Sequence, residues 1–179
     1  PKGTPGKGSF LYKATNGEQI LIINIMGRVF MNSLDDPFRV VDDIITNNSL
    51  NNVADVIFVD FHAEATSEKL AMGYYLDGRV SMLAGTHTHI PTSDARILTN
   101  GTGYITDVGM SGDYDSILGF DMQNPLEKFI TGRPSGRFIP AKGEGTLSGI
   151  LFETNSKGFA KNISPIKFGG IFDDELPDF

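Results

Sequence analysis

The chain has 179 residues, 40% of them apolar and 21% charged, which fits a single globular domain with room for a hydrophobic core. It contains no cysteine, which excludes disulfides, thiolate metal sites, iron–sulfur clusters and cysteine nucleophiles. The net charge is −7, so a diffuse negative surface disfavours duplex nucleic acid but still admits a small phosphorylated ligand held by a metal or a local field.

In chain order, the opening "PKGTPGKGS" reads as a loop. It lacks the Walker A spacing, since only two residues separate Gly3 from Gly6 and a strand-like run follows. "SFLYKA" and "EQILIINIMG" read as two strands joined by an Asn-Gly turn. "DDPFRVVDDIITNN" predicts a helix capped by Asp36, with Pro37 at its first position and Phe38, Val41, Ile44 and Ile45 on one face.

"NVADVIFVDF" predicts a buried strand that runs into a second helix within "HAEATSEKLAMGYYLDG", with Thr66 as N-cap and Gly78 as its stop. "RVSMLAG" and "NGTGYITDVGM" supply two further strands. "NPLEKFITG" reads as a short helix, and "GTLSGILFETN" with "GFAKNISPIKF" as a terminal antiparallel pair. The acidic tail "GGIFDDELPDF" reads as loosely packed. The alternation of strand and helix through the middle predicts an α/β layered sheet in one domain, residues 1–179. No apolar run approaches the roughly 20 residues of a membrane span and no signal peptide opens the sequence. A cytoplasmic location without membrane association is the expectation.

The chain has three histidines, and all fall at predicted strand ends. His62 follows "VIFVDF", and His87 and His89 follow "VSMLAG". In α/β sheets ligands gather beyond the carboxyl ends of the strands. Residues two apart in extended chain point to one side, so His87 and His89 can serve one centre or flank two. Imidazole suits zinc, iron and other divalent transition metals. Asp60 and Glu64, each two residues from His62, and Asp107, at the end of a third strand, are available as ligands, as partners orienting an imidazole, or, for Glu64, as a charge favouring the helix N-terminus. For Asp107 a supporting or loop-bracing role is preferred. On residues alone the reading is a metal-dependent hydrolase or metal-binding domain. A mononuclear three-histidine site and a non-catalytic metal- or nucleotide-binding regulatory module remain the alternatives.

The segments "NIMGRVFMNSLDDPF", "DFHAEATSEK", "LDGRVSMLAGTHTHIPTSDARIL" and "GTGYITDVGMSG" resemble the YmdB-type branch of the calcineurin-like metallophosphoesterases. The resemblance implies a layered α/β/β/α sandwich and phosphodiesterase activity on small cyclic nucleotides of the 2′,3′ kind. It implies two metal ions, iron or manganese in preference to zinc, and a metal-activated hydroxide that attacks phosphorus. His62 and His87 match ligands of one metal and His89 a ligand of the other. The family's aspartate and asparagine ligands, its bridging acidic residue and its histidine proton donor have no match here. The chain therefore resembles the C-terminal portion of such an enzyme, and no catalytic acid is assigned. The expected partner is a small phosphodiester, and exposed strands would suit a homo-oligomer.

Overall fold

The computed structural model describes residues 3–134 and 136–179; the first two residues of the opening loop lie outside it. The predicted hairpin forms as β1 (Ser9–Lys13) and β2 (Gln19–Met26), antiparallel around a turn in which Gly17 takes φ 95°. Helix α1 (Pro37–Asn47) begins as expected: the Asp36 carboxylate accepts from the Phe38 N–H and Pro37 opens the first turn. Strand β3 (Val56–His62) starts later than the sequence suggests. Asn51 at φ 64° and the hydrogen bonds onto Ser49 turn the chain before it extends.

Helix α2 (Thr66–Leu76) corrects one expectation. Thr66 lies inside the helix, and Ala65 occupies the cap position without a side-chain hydrogen bond. Packing rather than capping sets this start. Ala63 and Ala65 are buried where β3 turns into the helix. The expected stop holds, since Gly78 at φ 81° follows the last turn.

Strand β4 (Met82–Thr86) lies beside β3, followed by the two-residue β5 (Arg96–Ile97), too short to read from the sequence, and by β6 (Gly103–Ile105). Helix α3 (Gln123–Thr131) ends on Gly132 in the left-handed region. Strands β7 (Leu147–Thr154) and β8 (Ala160–Phe168) form their own antiparallel pair. The tail is pinned rather than loose: Lys167 and Glu175 exchange backbone hydrogen bonds, and Phe172 packs edge-on against Tyr114.

The six-stranded sheet has the order β1-β2-β3-β4-β6-β5. Strands β2, β3, β4 and β6 are parallel, and the two edge strands are antiparallel. One face carries Leu21, Ile23, Ile57, Val59, Phe61, Leu83 and Tyr104, packed against Val41 and Ile45 of α1 and Met72 and Leu76 of α2. On the other face Met82, Ala84 and Ile105 are covered by Ile150, Phe152 and Ile163 of the β7–β8 pair. That cover stops short of β1 and β2, where Phe10, Tyr12 and Ile22 are 60%, 46% and 44% exposed. Among the described residues, no helix is long and apolar enough to cross a membrane.

Candidate metal centre

Parallel register brings the polar residues of three strands to one sheet end. Asn24 of β2 lies opposite Asp60 of β3, and His62 of β3 opposite Thr86 of β4. Alternation places all four on the face away from the helices, because Ile23, Ile25, Val59 and Phe61 between them face the helical core. Asn24 donates to Asp60 Oδ2 at 2.7 Å, and the Thr86 hydroxyl donates to Asp60 Oδ1 at 2.7 Å.

This network fixes the tautomer of His62. The Thr86 hydroxyl proton is committed to the carboxylate, so at 3.0 Å its oxygen can only accept from His62 Nδ1–H. His62 Nε2 is then a bare lone pair, and it faces His87 Nδ1 at 3.0 Å. Burial first, and then His87 and Lys69, outweigh the carboxylates of Asp60 and Asp107 and hold the His62 pKa below its ordinary value. Its imidazole is therefore neutral at neutral pH.

His87 is anchored at its other end. Its Nε2 lies 3.1 Å from Glu64 Oε2, and a carboxylate can only accept, so the proton sits on Nε2. Glu64 therefore serves the imidazole, in place of the helix-dipole role its position suggests. With Nε2 turned to Glu64, His87 presents Nδ1 to the His62 lone pair, a pair of nitrogens that a shared cation can bridge. Two nitrogens each about 2.1 Å from one ion lie about 3.0 Å apart at a right angle and about 3.4 Å apart at the tetrahedral angle. The donor pair thus fits a metal ion.

His89 stands apart. Its Nδ1 donates to the Leu118 carbonyl at 3.2 Å, which frees Nε2 as a third lone pair. Each imidazole has one N–H held by an oxygen, as oriented metal ligands do. The three do not converge, however. Among the described residues no three His, Asp or Glu side chains are grouped to hold a metal ion, so a mononuclear three-histidine site finds no support.

The loop bearing both histidines is strained: His87 has φ 104° and His89 φ 68°. Asp107, beyond β6, braces it. The carboxylate is fully buried; it accepts from Thr88 N–H at 3.0 Å and Gly109 N–H at 2.9 Å, and pairs with buried Lys69 at 2.8 Å. Asp107 was visible to sequence reasoning, but Lys69 and Thr86 were missed. A lysine in a helix's first turn reads as a surface charge, and Thr86 is visible only through its register with His62.

An α/β sheet with imidazoles at the carboxyl ends of neighbouring parallel strands defines the class to which the chain is to be compared. A family model described as YmdB-like protein matches residues 1–166, and the chain belongs to that family, as its motifs lead one to expect. It is 51% identical over 157 residues to a Bacillus subtilis protein named 2′,3′-cyclic-nucleotide 2′-phosphodiesterase, a match covering 88% of this chain and 58% of that protein. The fold resembles the crystal structure of a hypothetical protein from Thermus thermophilus, with TM-score 0.84 and 45% identity, covering 96% of this chain and 65% of the other. It also resembles that of a novel phosphatase from Mycoplasma pneumoniae, with TM-score 0.81 and 33% identity, covering 92% and 58%. The chain thus spans little more than half the length of the Bacillus protein.

Proposed function

We propose that the chain is part of a dinuclear metal-dependent phosphodiesterase that hydrolyses small cyclic nucleotides of the 2′,3′ kind or related phosphodiesters. In this reading His62 and His87 hold one ion, iron or manganese in preference to zinc, and His89 holds the second. Bound there, the ions supply water activation and offset the charge that builds on the phosphate oxygens.

The chain's own residues do the holding. Thr86 and Glu64 fix the proton on the far nitrogen of His62 and His87, Asp107 holds the loop between His87 and His89, and burial keeps His62 neutral. In this reading the further ligands and the proton donor would come from outside these 179 residues, from a part that would also cover the open face over β1 and β2 and complete an α/β/β/α sandwich. Family membership and the name of the Bacillus relative support the substrate class. The observation that carries the metal reading is the approach of His62 Nε2 and His87 Nδ1 to 3.0 Å, with the other nitrogen of each ring held by an oxygen.

The test is elemental metal analysis with hydrolysis of 2′,3′-cyclic AMP, on this chain and on a form lengthened to the span of the relatives. Two metals per chain and turnover in the lengthened form alone are expected. Equal turnover by the 179-residue chain with one metal would overturn the dinuclear reading, and no metal in either form would overturn the metal centre altogether.

A further inference from the structure

Lys69 is fully buried, and its ammonium meets the fully buried Asp107 carboxylate at 2.8 Å. Replacing such a pair by apolar residues of similar size is often neutral or stabilising, so its presence is not explained by stability alone. Its surroundings offer another account. Asp107 Oδ2, the atom that Lys69 contacts, also accepts the Thr88 N–H, and Thr88 separates His87 from His89. Both histidines sit at positive φ, a strained conformation that persists only where something holds it.

The neighbourhood is built around the lysine. A Cβ added to Gly85, the residue that opens "GTHTH", would lie 3.0 Å from Lys69 Cδ and 1.7 Å from the Thr106 carbonyl oxygen. Glycine is required here first by the Thr106 backbone, and the lysine stem fills the space beside it. The next residue back along α2, Glu68, makes the equivalent contact on the other side of β3. Its nearly buried carboxylate accepts from the N–H groups of Arg28 at 2.9 Å and Val29 at 3.2 Å. Two adjacent charges on the first turn of α2 therefore tether the loops that follow β2 and β4, on either side of His62.

We infer that Lys69 is a positioning residue for the histidine loop: through Asp107 it latches the Thr88 backbone to α2 and so fixes where His87 and His89 point. The purpose of the latch rests on the metal reading given above, but its existence can be tested without metal. A charge-assisted hydrogen bond is roughly twice as strong as a neutral one. The Lys69 ammonium holds Asp107 Oδ2 in place, so loss of that contact frees the carboxylate that accepts the Thr88 N–H.

The experiment is amide hydrogen exchange by NMR on the metal-free chain, comparing wild type with Lys69→Met. The Thr88 amide is expected to lose about tenfold more protection than the core amides of Val59 and Leu83, which report global stability. If Thr88 loses protection only by the same factor as the core, the pair is merely structural and the inference is overturned. Should Lys69→Met fail to fold, the double variant Lys69→Met/Asp107→Asn, which buries no lone charge, is read by the same comparison. A parallel Mn²⁺ titration is expected to show about tenfold weaker binding in the variant. Absence of Mn²⁺ binding by both the wild-type chain and its lengthened form would overturn the metal reading alone, because the exchange comparison is made without metal.

Discussion

At the scale of single residues, the candidate centre depends on where protons sit. His62 can offer Nε2 only while Nδ1–H has an acceptor, and Thr86 is that acceptor because Asp60 takes the hydroxyl proton. Thr86→Val keeps the shape and removes the oxygen. Loss of such a supporting partner usually costs 10–100-fold in metal affinity. We expect a loss of about that size for Mn²⁺ by calorimetry, with a far smaller change in unfolding midpoint. Unchanged affinity would show that the ring is oriented by packing alone. Phe30 marks the same end of the sheet differently: φ 62° and 89% exposure make it a strained residue that gains nothing from burial.

At the scale of elements, the connection from β4 to β6 is organised by Asp94. Burial alone would raise its carboxyl, but hydrogen bonds from the Thr106 and Thr92 hydroxyls, the Thr106 N–H and Arg96 outweigh it and hold the pKa below the ordinary value. A lowered carboxyl pKa contributes stability that is present above the unfolded value of about 3.9 and lost as pH falls through the folded value. Asp94→Asn should therefore cost about 1–3 kcal/mol at pH 7. The gap to wild type should narrow below about pH 4, as read by urea unfolding at several pH values. A gap independent of pH would place the effect in packing.

The elements also show what a reader of the sequence can reach. The hairpin, α1 and the parallel core strands were legible because Asn16-Gly17, Asp36-Pro37 and the run Val56–Phe61 are local signals. The α2 cap was not, because it depends on alanines packed in a turn. The three histidines were legible from their place after apolar runs. Lys69 was not, because its partner lies 38 residues away and only the fold brings them together.

At the scale of the molecule, a ligand that binds only the folded state raises stability by mass action. A divalent ion at about ten times its Kd contributes about 1.4 kcal/mol, or roughly 3–5 °C in Tm for a chain of this size. Mn²⁺ should produce such a shift in the wild-type chain, EDTA should reverse it, and His87→Ala should abolish it in a scanning fluorimetry experiment. A shift retained in His87→Ala would move the ion away from the histidine pair. The uneven cover of the sheet belongs to this scale too. The β7–β8 pair shields β4, β6 and Phe58 of β3 from water while Phe10, Tyr12 and Ile22 of β1 and β2 stay open, so the molecule carries an exposed apolar cluster on that flank despite its net charge of −7.

The registered strand ends carry a consequence for transplantation. "GTHTH" has the compactness of a motif that could be moved into another scaffold, yet little of what shapes it lies within those five residues. The acceptor for His87 comes from Glu64, the brace for Thr88 from Asp107 and Lys69, and the acceptor for the Thr86 proton from Asp60, itself held by Asn24. The histidine pair is thus a property of four aligned strands and one helix start. A graft that copied only the pentapeptide would carry the letters without the geometry.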